Sequence, residues 1–263
     1  MLSLSNAFAV DVYGYAVMSS HYHIALKVEP KRVAEYSDDE VARRWLIAYP
    51  PKAESQRDSK IAAILEDEER IKVLRERLGD LSWYMKCLNN YIARKANIED
   101  DCTGKFWEAR FHSSRPMKSL DDLYACMSYI DLNPLSAGAT DAPAEPNDHT
   151  SLCHRMSEAQ QYPEKMTSGL SPIGICPGTG RIHSDIKNAL PLTLKNYLAH
   201  IEWLAECKRL GGKQIPAYTT ISLPLITDPR SYMRSYLKFF KRWGRKEGRG
   251  DIPLRSLSMP TIE

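Results

Sequence analysis

The sequence has no apolar run that approaches the length of a membrane span, so no transmembrane helix is expected. Its first residues, Met1-Leu2-Ser3-Leu4-Ser5-Asn6, lack the basic flank and apolar core of a secretory signal. No two of the cysteines, Cys87, Cys102, Cys126, Cys153, Cys176 and Cys207, form a C-x-x-C pair. That spacing argues against a zinc ribbon, and scattered cysteines suit a reducing compartment where several are buried as small hydrophobes. No internal repeat is present. A large excess of one charge is also missing: 36 Lys and Arg stand against 33 Asp and Glu. A net charge of +3 permits nucleic-acid binding without arguing for it, so local distribution matters more. The expectation is a cytoplasmic globular protein. With 263 residues, 43% hydrophobic and 26% charged, it can form one large or two modest domains.

Phe8 to Met18 is apolar, aromatic and β-branched and reads as a strand. Ser19-Ser20 makes a short turn, and His21 to Val28 reads as a second strand, giving a hairpin that Glu29-Pro30 ends. Ser37-Asp38-Asp39-Glu40 fits a capping box and opens a helix that Pro50-Pro51 stops. Residues 58–78 read as one charged helix with Ile61, Ile64, Leu65, Ile71, Leu74 and Leu78 as its apolar side and Gly79 as its end. Asp80 caps the next helix, whose buried stripe is expected to be Leu81, Tyr84, Met85, Leu88, Tyr91 and Ile92. Lys105 to Ser113 reads as a strand with flanking loops. Asp121 to Asn133 reads as a helix with Leu123, Cys126, Met127 and Ile130 apolar, broken by Pro134. Residues 140–186, rich in Pro, Gly, Ser, Thr and Asp, read as a long irregular connection. Leu192 to Leu210 is expected to be helical, and Asp228-Pro229 opens a last helix.

Four constellations carry chemistry. In His21-x-His23, strand alternation sends both imidazoles to one face, a two-pronged clamp for metals such as Mn or Zn, or for Mg shared with other ligands. The alternative is a chance pair among seven histidines. Tyr129 and Asn133 are i, i+4 on a helix and share a face, so they can add a nucleophile and a third ligand. A tyrosine near its ordinary pKa is a poor nucleophile and needs a metal-polarised phosphorus. The alternative is a core tyrosine beside Ile130, with Asn133 merely ending the helix. Lys105, Trp107, Arg110, His112 and Arg115 form a basic-aromatic segment that can stack on unpaired bases and hold phosphates, or equally a strand with a buried Trp107. From Arg230 to Arg249 basic residues dominate, with Glu247 as the lone acid. Arg234, Lys238, Lys241 and Arg245 lie opposite Tyr232, Tyr236, Phe239, Phe240 and Trp243, a surface suited to phosphates. Lys86 and Arg94 lie on the polar side of the helix that follows Asp80.

Taken together these residues resemble a known family. Ala16-Val17-Met18-Ser19-Ser20-His21-Tyr22-His23-Ile24 resembles the strand-turn-strand that carries the HUH pair of single-tyrosine HUH transposases, in their REP-associated tyrosine transposase branch. Three further blocks agree in order: Ser82 to Asn89, Gly104 to Phe111, and Tyr129-Ile130-Asp131-Leu132-Asn133-Pro134-Leu135-Ser136-Ala137-Gly138. The match covers roughly residues 8–152.

The resemblance implies an α+β, ferredoxin-like antiparallel sheet with helices, in a catalytic domain over 1–152 that carries a helical insertion at about 37–79. An irregular linker over 153–187 and a helical, basic C-terminal extension over 188–263 follow. His21 and His23 would hold Mg or Mn, with Asn133 as third ligand. Tyr129 would attack single-stranded hairpin DNA, leaving a 5′-phosphotyrosine and a free 3′-hydroxyl. The DNA-contacting set would be Lys86, Arg94, Lys105, Trp107, Arg110, His112, Arg115, Arg234, Lys238, Lys241 and Arg245. The partner is DNA and not a membrane, and the protein is expected to be a monomer or homodimer. Two departures stand out. Ser20 occupies the position before the first histidine, where the family has Asn. The family's first strand and helix, which would precede Phe8, are not in the sequence, so the expectation is an N-terminally truncated chain of impaired activity. The competing expectation is a decayed transposase that binds DNA without cutting it.

Overall fold

Side-chain caps at Ser37 and Asp80 start two of the described helices, as the sequence predicts. The computed structural model describes residues 1–112, 120–143, 145, 149–161, 190, 192–210 and 236. It is α+β, with a two-stranded antiparallel sheet and several helices. The described residues divide into two compact units. One comprises Met1–Val12 and the described part of Leu26–Arg115; the other comprises Tyr13–Ala25 and the described part of Pro116–Glu263.

In the first unit, α1 (Leu2–Ser5) precedes α2 (Asp38–Ala48). The Ser37 hydroxyl accepts from the Glu40 amide at 3.1 Å, the hydroxyl half of the expected capping box. The Glu40 carboxylate turns instead to Arg44, one helical turn on. The single helix expected over 58–78 is two, α3 (Arg57–Leu65) and α4 (Glu68–Leu78). Asp67 is the reason. Its carboxylate takes the Arg70 amide at 2.9 Å, so it starts a new helix rather than continuing the old one. Gly79 ends α4, and Asp80 caps α5 (Leu81–Glu99) through the Trp83 amide at 2.8 Å, both as expected.

The apolar sides of these helices meet in one core. Val41, Ala42, Trp45 and Leu46 of α2 lie with Ile61 and Ile64 of α3 and Ile71, Leu74 and Leu78 of α4 among its buried residues. Tyr84, Met85 and Leu88 of α5 are buried too, and Phe8 meets the Tyr84 ring edge-on at 5.6 Å. Beyond Leu88 only Ala96 of α5 is buried. Tyr91, expected inside, is 60% exposed, and Ile98 on the same half of the helix is more so. The strand expected over 105–113 is not formed among its described residues, which are irregular. The Trp107 indole donates to the Asn89 carbonyl of α5 at 3.0 Å, and Lys105 bonds the Glu108 carbonyl, so side chains rather than a ladder hold this segment.

The hairpin strands are β1 (Val10–Val17) and β2 (Tyr22–Val28), and their turn-proximal halves belong to the second unit. The Met18 amide donates to the His21 carbonyl at 2.8 Å, closing the two-residue Ser19–Ser20 turn. This register sets Ala16 opposite His23 and Gly14 opposite Ala25. On the other side of β1, Val17 bonds the His149 carbonyl and Ala16 forms an antiparallel bridge with Thr150. The unit continues with α6 (Leu120–Asp131), the short α7 (Asn133–Ser136), α8 (Ser151–Gln161) and α9 (Leu194–Arg209).

α8 corrects the reading of 140–186 as irregular, and it runs across the domain boundary expected at 152. It is short and lies inside a stretch whose Pro, Gly, Ser, Thr and Asp content reads as irregular, which hid its amphipathic spacing. Thr193 caps α9 through the Asn196 amide at 2.9 Å. Tyr124, Met127, Leu132, Leu152, Leu190, Leu192, Tyr197, Ile201 and Leu204 form this unit's core. Of the helix expected from Asp228 only Tyr236 is described, buried in that core. Among the described residues no helix is long and apolar enough to cross a membrane.

Candidate active site

The two histidines project from one face of β2 because they alternate with Tyr22. Their rings lie edge to face, with centroids 4.9 Å apart. Both side chains are half-buried, and the Nε2 atom of each is shielded from solvent. The Ser20 hydroxyl sits 3.0 Å from His21 Nδ1. Which of the two donates follows the imidazole's tautomer, and a contact of this kind orients the ring.

The third ring comes from far along the chain. α6 carries Tyr129 to within 5.7 Å of the His23 ring, centroid to centroid, at an interplanar angle of 79°. Small residues allow this approach. Gly14 and Ala16 share the strand face with the histidines by register, and Met127 of α6 lies 3.7 Å from where a Cβ on Gly14 would stand. Tyr129 is 5% exposed and Asn133, the first residue of α7, is 3% exposed. His21, His23 and Tyr129 are therefore assembled in one place, while Asn133 is buried in the same unit two residues beyond the end of α6.

A divalent metal fits part of this donor set. Two imidazoles with shielded Nε2 atoms suit Mn and can share Mg with oxygen ligands, and the Asn133 amide or water would complete the coordination. Among the described residues no group of three or more His, Cys, Asp or Glu side chains gathers that could hold a metal.

The residue that sequence reasoning passed over is Asp131, which lies between Tyr129 and Asn133 and is 2% exposed. Its Oδ1 accepts from the Ser151 hydroxyl at 2.7 Å and from the Leu152 amide at 3.0 Å, at the start of α8. Its Oδ2 accepts from the Tyr197 hydroxyl of α9 at 2.7 Å. Burial pushes its carboxyl above the ordinary range, opposed by the Arg155 charge and by these three donors. Burial likewise lowers Arg155, opposed chiefly by Asp131, and the Arg155 guanidinium donates to the Tyr13 carbonyl of β1 at 2.7 Å. The available signal was an acid inside an otherwise apolar helical run, a position where a carboxylate needs partners. A second polar group, the Tyr15 hydroxyl 2.9 Å from His154 Nδ1, lies on the strand face away from the histidines; burial raises that phenol to about 12.

The expected DNA-contacting residues fall elsewhere. Lys86, Arg94, Lys105, Arg110 and His112 are exposed and Trp107 is half-buried, all in the first unit. Lys86 lies over the Trp83 ring at 4.2 Å. Arg115, Arg234, Lys238, Lys241 and Arg245 lie outside the described residues. Comparison of the chain with protein-family models, with curated proteins and with solved structures gave no match.

Proposed function

We propose that this chain is a transposase-like DNA strand transferase that cuts and rejoins single-stranded hairpin DNA through a covalent tyrosine intermediate. One observation carries the reading: a tyrosine on α6 and a histidine pair on a hairpin, more than a hundred positions apart in the chain, share one ring cluster. A phenol held against one imidazole of a pair suits phosphoryl transfer as well as packing, which any apolar ring would serve. His21 and His23 would hold Mg or Mn with Asn133 as third ligand, and the ion when bound would polarise the scissile phosphate and orient it.

The Tyr129 oxygen attacks that phosphorus. The P–O3′ bond breaks as the tyrosyl–phosphate bond forms, the phenol proton passes to water, and the departing 3′-oxygen takes up a proton. The product is a 5′-phosphotyrosine and a free 3′-hydroxyl that can reverse the step. The ferredoxin-like domain and its DNA surfaces at Lys86, Arg94, Lys105, Trp107, Arg110 and His112 belong to the same proposal. So do Arg115, Arg234, Lys238, Lys241 and Arg245 in the segments outside the description.

The test is a trapped adduct. Full-length protein incubated with a labelled hairpin and Mn²⁺ or Mg²⁺ is expected to give a covalent protein–DNA species that Tyr129→Phe abolishes. An adduct that survives that substitution means another nucleophile. The burial of Tyr129 favours one competing reading, a DNA-binding protein without strand transfer. It is told apart by salt-sensitive hairpin binding that needs neither metal nor Tyr129 and gives no adduct.

A further inference from the structure

We infer that Asp131 is a positioning residue that locks the Tyr129 helix onto the histidine hairpin, and that helix α9 is part of this lock through Tyr197. The inference deepens the proposed function and rests on it for its catalytic consequence.

The argument begins with cost. A carboxylate buried to this depth is expensive unless its lone pairs are satisfied and its charge is balanced. Here each oxygen has its own assignment. Oδ1 takes the Ser151 hydroxyl and the Leu152 amide, so the charge sits at the N-terminus of α8, where the helix field favours an anion. Oδ2 takes the Tyr197 hydroxyl on the first turns of α9. One side chain therefore ties α6 to two other helices at the residue where α6 ends.

α8 is in turn fixed to the hairpin. Arg155 reaches back to the Tyr13 carbonyl, and Thr150, just before the helix, bridges to Ala16. Gly14 completes the bracket, since a Cβ there would stand 3.2 Å from the Ser151 hydroxyl oxygen. The same hydroxyl that lies against the strand donates to Asp131. A continuous path thus runs from the strand paired with the histidines, through Ser151 and Asp131, to the turn of helix that presents Tyr129. An apolar residue at 131 would fill the space but fix no register, because dispersion is not directional, whereas two oxygens with three donors define one orientation.

Full-length Asp131→Asn and Tyr197→Phe are compared with wild type by two readouts. The first is the nuclear Overhauser contact between the Tyr129 and His23 rings, which needs no DNA and no metal. The second is the single-turnover rate of adduct formation, alongside hairpin affinity. In Asp131→Asn the ring contact is expected to disappear and the rate to fall about 10- to 100-fold, with hairpin affinity unchanged. Tyr197→Phe removes one hydrogen bond and is expected to slow the step about five-fold. A folded Asp131→Asn protein that keeps both the ring contact and the rate overturns the inference. Where that variant does not fold, Tyr197→Phe decides on the same criteria. Where wild type gives no adduct with either metal, the functional reading fails. The positioning claim is then judged on the ring contact alone, upheld by its loss in Asp131→Asn and overturned by its retention.

Discussion

The two units of the molecule differ in the balance of what holds them. The unit of α2 to α5 is built from sequence-local amphipathic helices whose apolar sides share one core and whose charges stay at the surface. Many of its ion pairs, such as Arg43 with Asp39 and Lys72 with Glu69, are exposed neighbours on single helices and contribute little; the partly buried pair of Arg32 with Asp11 is the exception. The unit of the hairpin, α6, α8 and α9 instead buries Asp131, Arg155, Ser151, Thr150 and His200 and joins elements far apart in sequence. Apolar packing tolerates small shifts, whereas a buried hydrogen-bond network does not. A region that must hold three rings in one arrangement gains from the second kind of construction.

Substitutions in each unit test that contrast. The largest effect is expected from Leu78→Ala, which removes a fully buried side chain from the helical core. It should cost about 2–5 kcal/mol in urea unfolding while the folded fraction keeps the Tyr129–His23 ring contact. Loss of that contact would mean the two units are not separable in their energetics.

Next is acid sensitivity. Burial depresses His200 from 6.5 to about 3. Between those values the unfolded chain binds a proton that the folded chain does not, so stability falls as pH drops from about 6.5 towards 3. At pH 5 the loss should be about 2 kcal/mol relative to neutral pH. His200→Gln should flatten that part of the pH–stability curve, and an unchanged slope would place the acid sensitivity elsewhere.

Gly14→Ala should follow at about 1–2 kcal/mol, because its Cβ presses on the Ser151 hydroxyl at 3.2 Å. Here the ring contact should weaken along with stability, the reverse of the Leu78 result. The smallest effect is expected from Asp80→Ala, which removes the α5 cap at a cost of about 1 kcal/mol and should leave the ring contact untouched. A change at the rings in this variant would break the comparison.

Much of this was legible in the residues. Ser37, Gly79 and Asp80 mark helix ends because capping chemistry is local, and the His21-x-His23 hairpin follows from alternation and a two-serine turn. The ring cluster was legible only through the family resemblance, which implied that Tyr129 and the histidines converge, and the fold brings His23 and Tyr129 into edge contact. What stayed hidden depends on distant partners. Periodicity placed Tyr91 in the stripe of α5 but could not reveal that it is exposed while Ala96, further along, is buried. The break at Asp67 was masked because apolar spacing continues across it. α8 starts on polar residues inside a Pro- and Gly-rich stretch. Asp131 was quoted only as part of a longer block, since the meaning of a buried acid lies in Ser151 and Tyr197, which no local pattern announces.

The division of the hairpin has a consequence for biosynthesis. Its outer halves belong with the early helices and its inner halves with the late ones, so neither unit is a continuous stretch of chain. On the ribosome the histidines emerge long before the helices that enclose them, and Tyr197 is delivered later still. Until then the imidazoles sit on a bare two-stranded ribbon, which is marginal in water. A nascent chain halted before residue 190 would expose the apolar face meant for α9, so the late helices also determine how long that face stays open to chaperones and proteases.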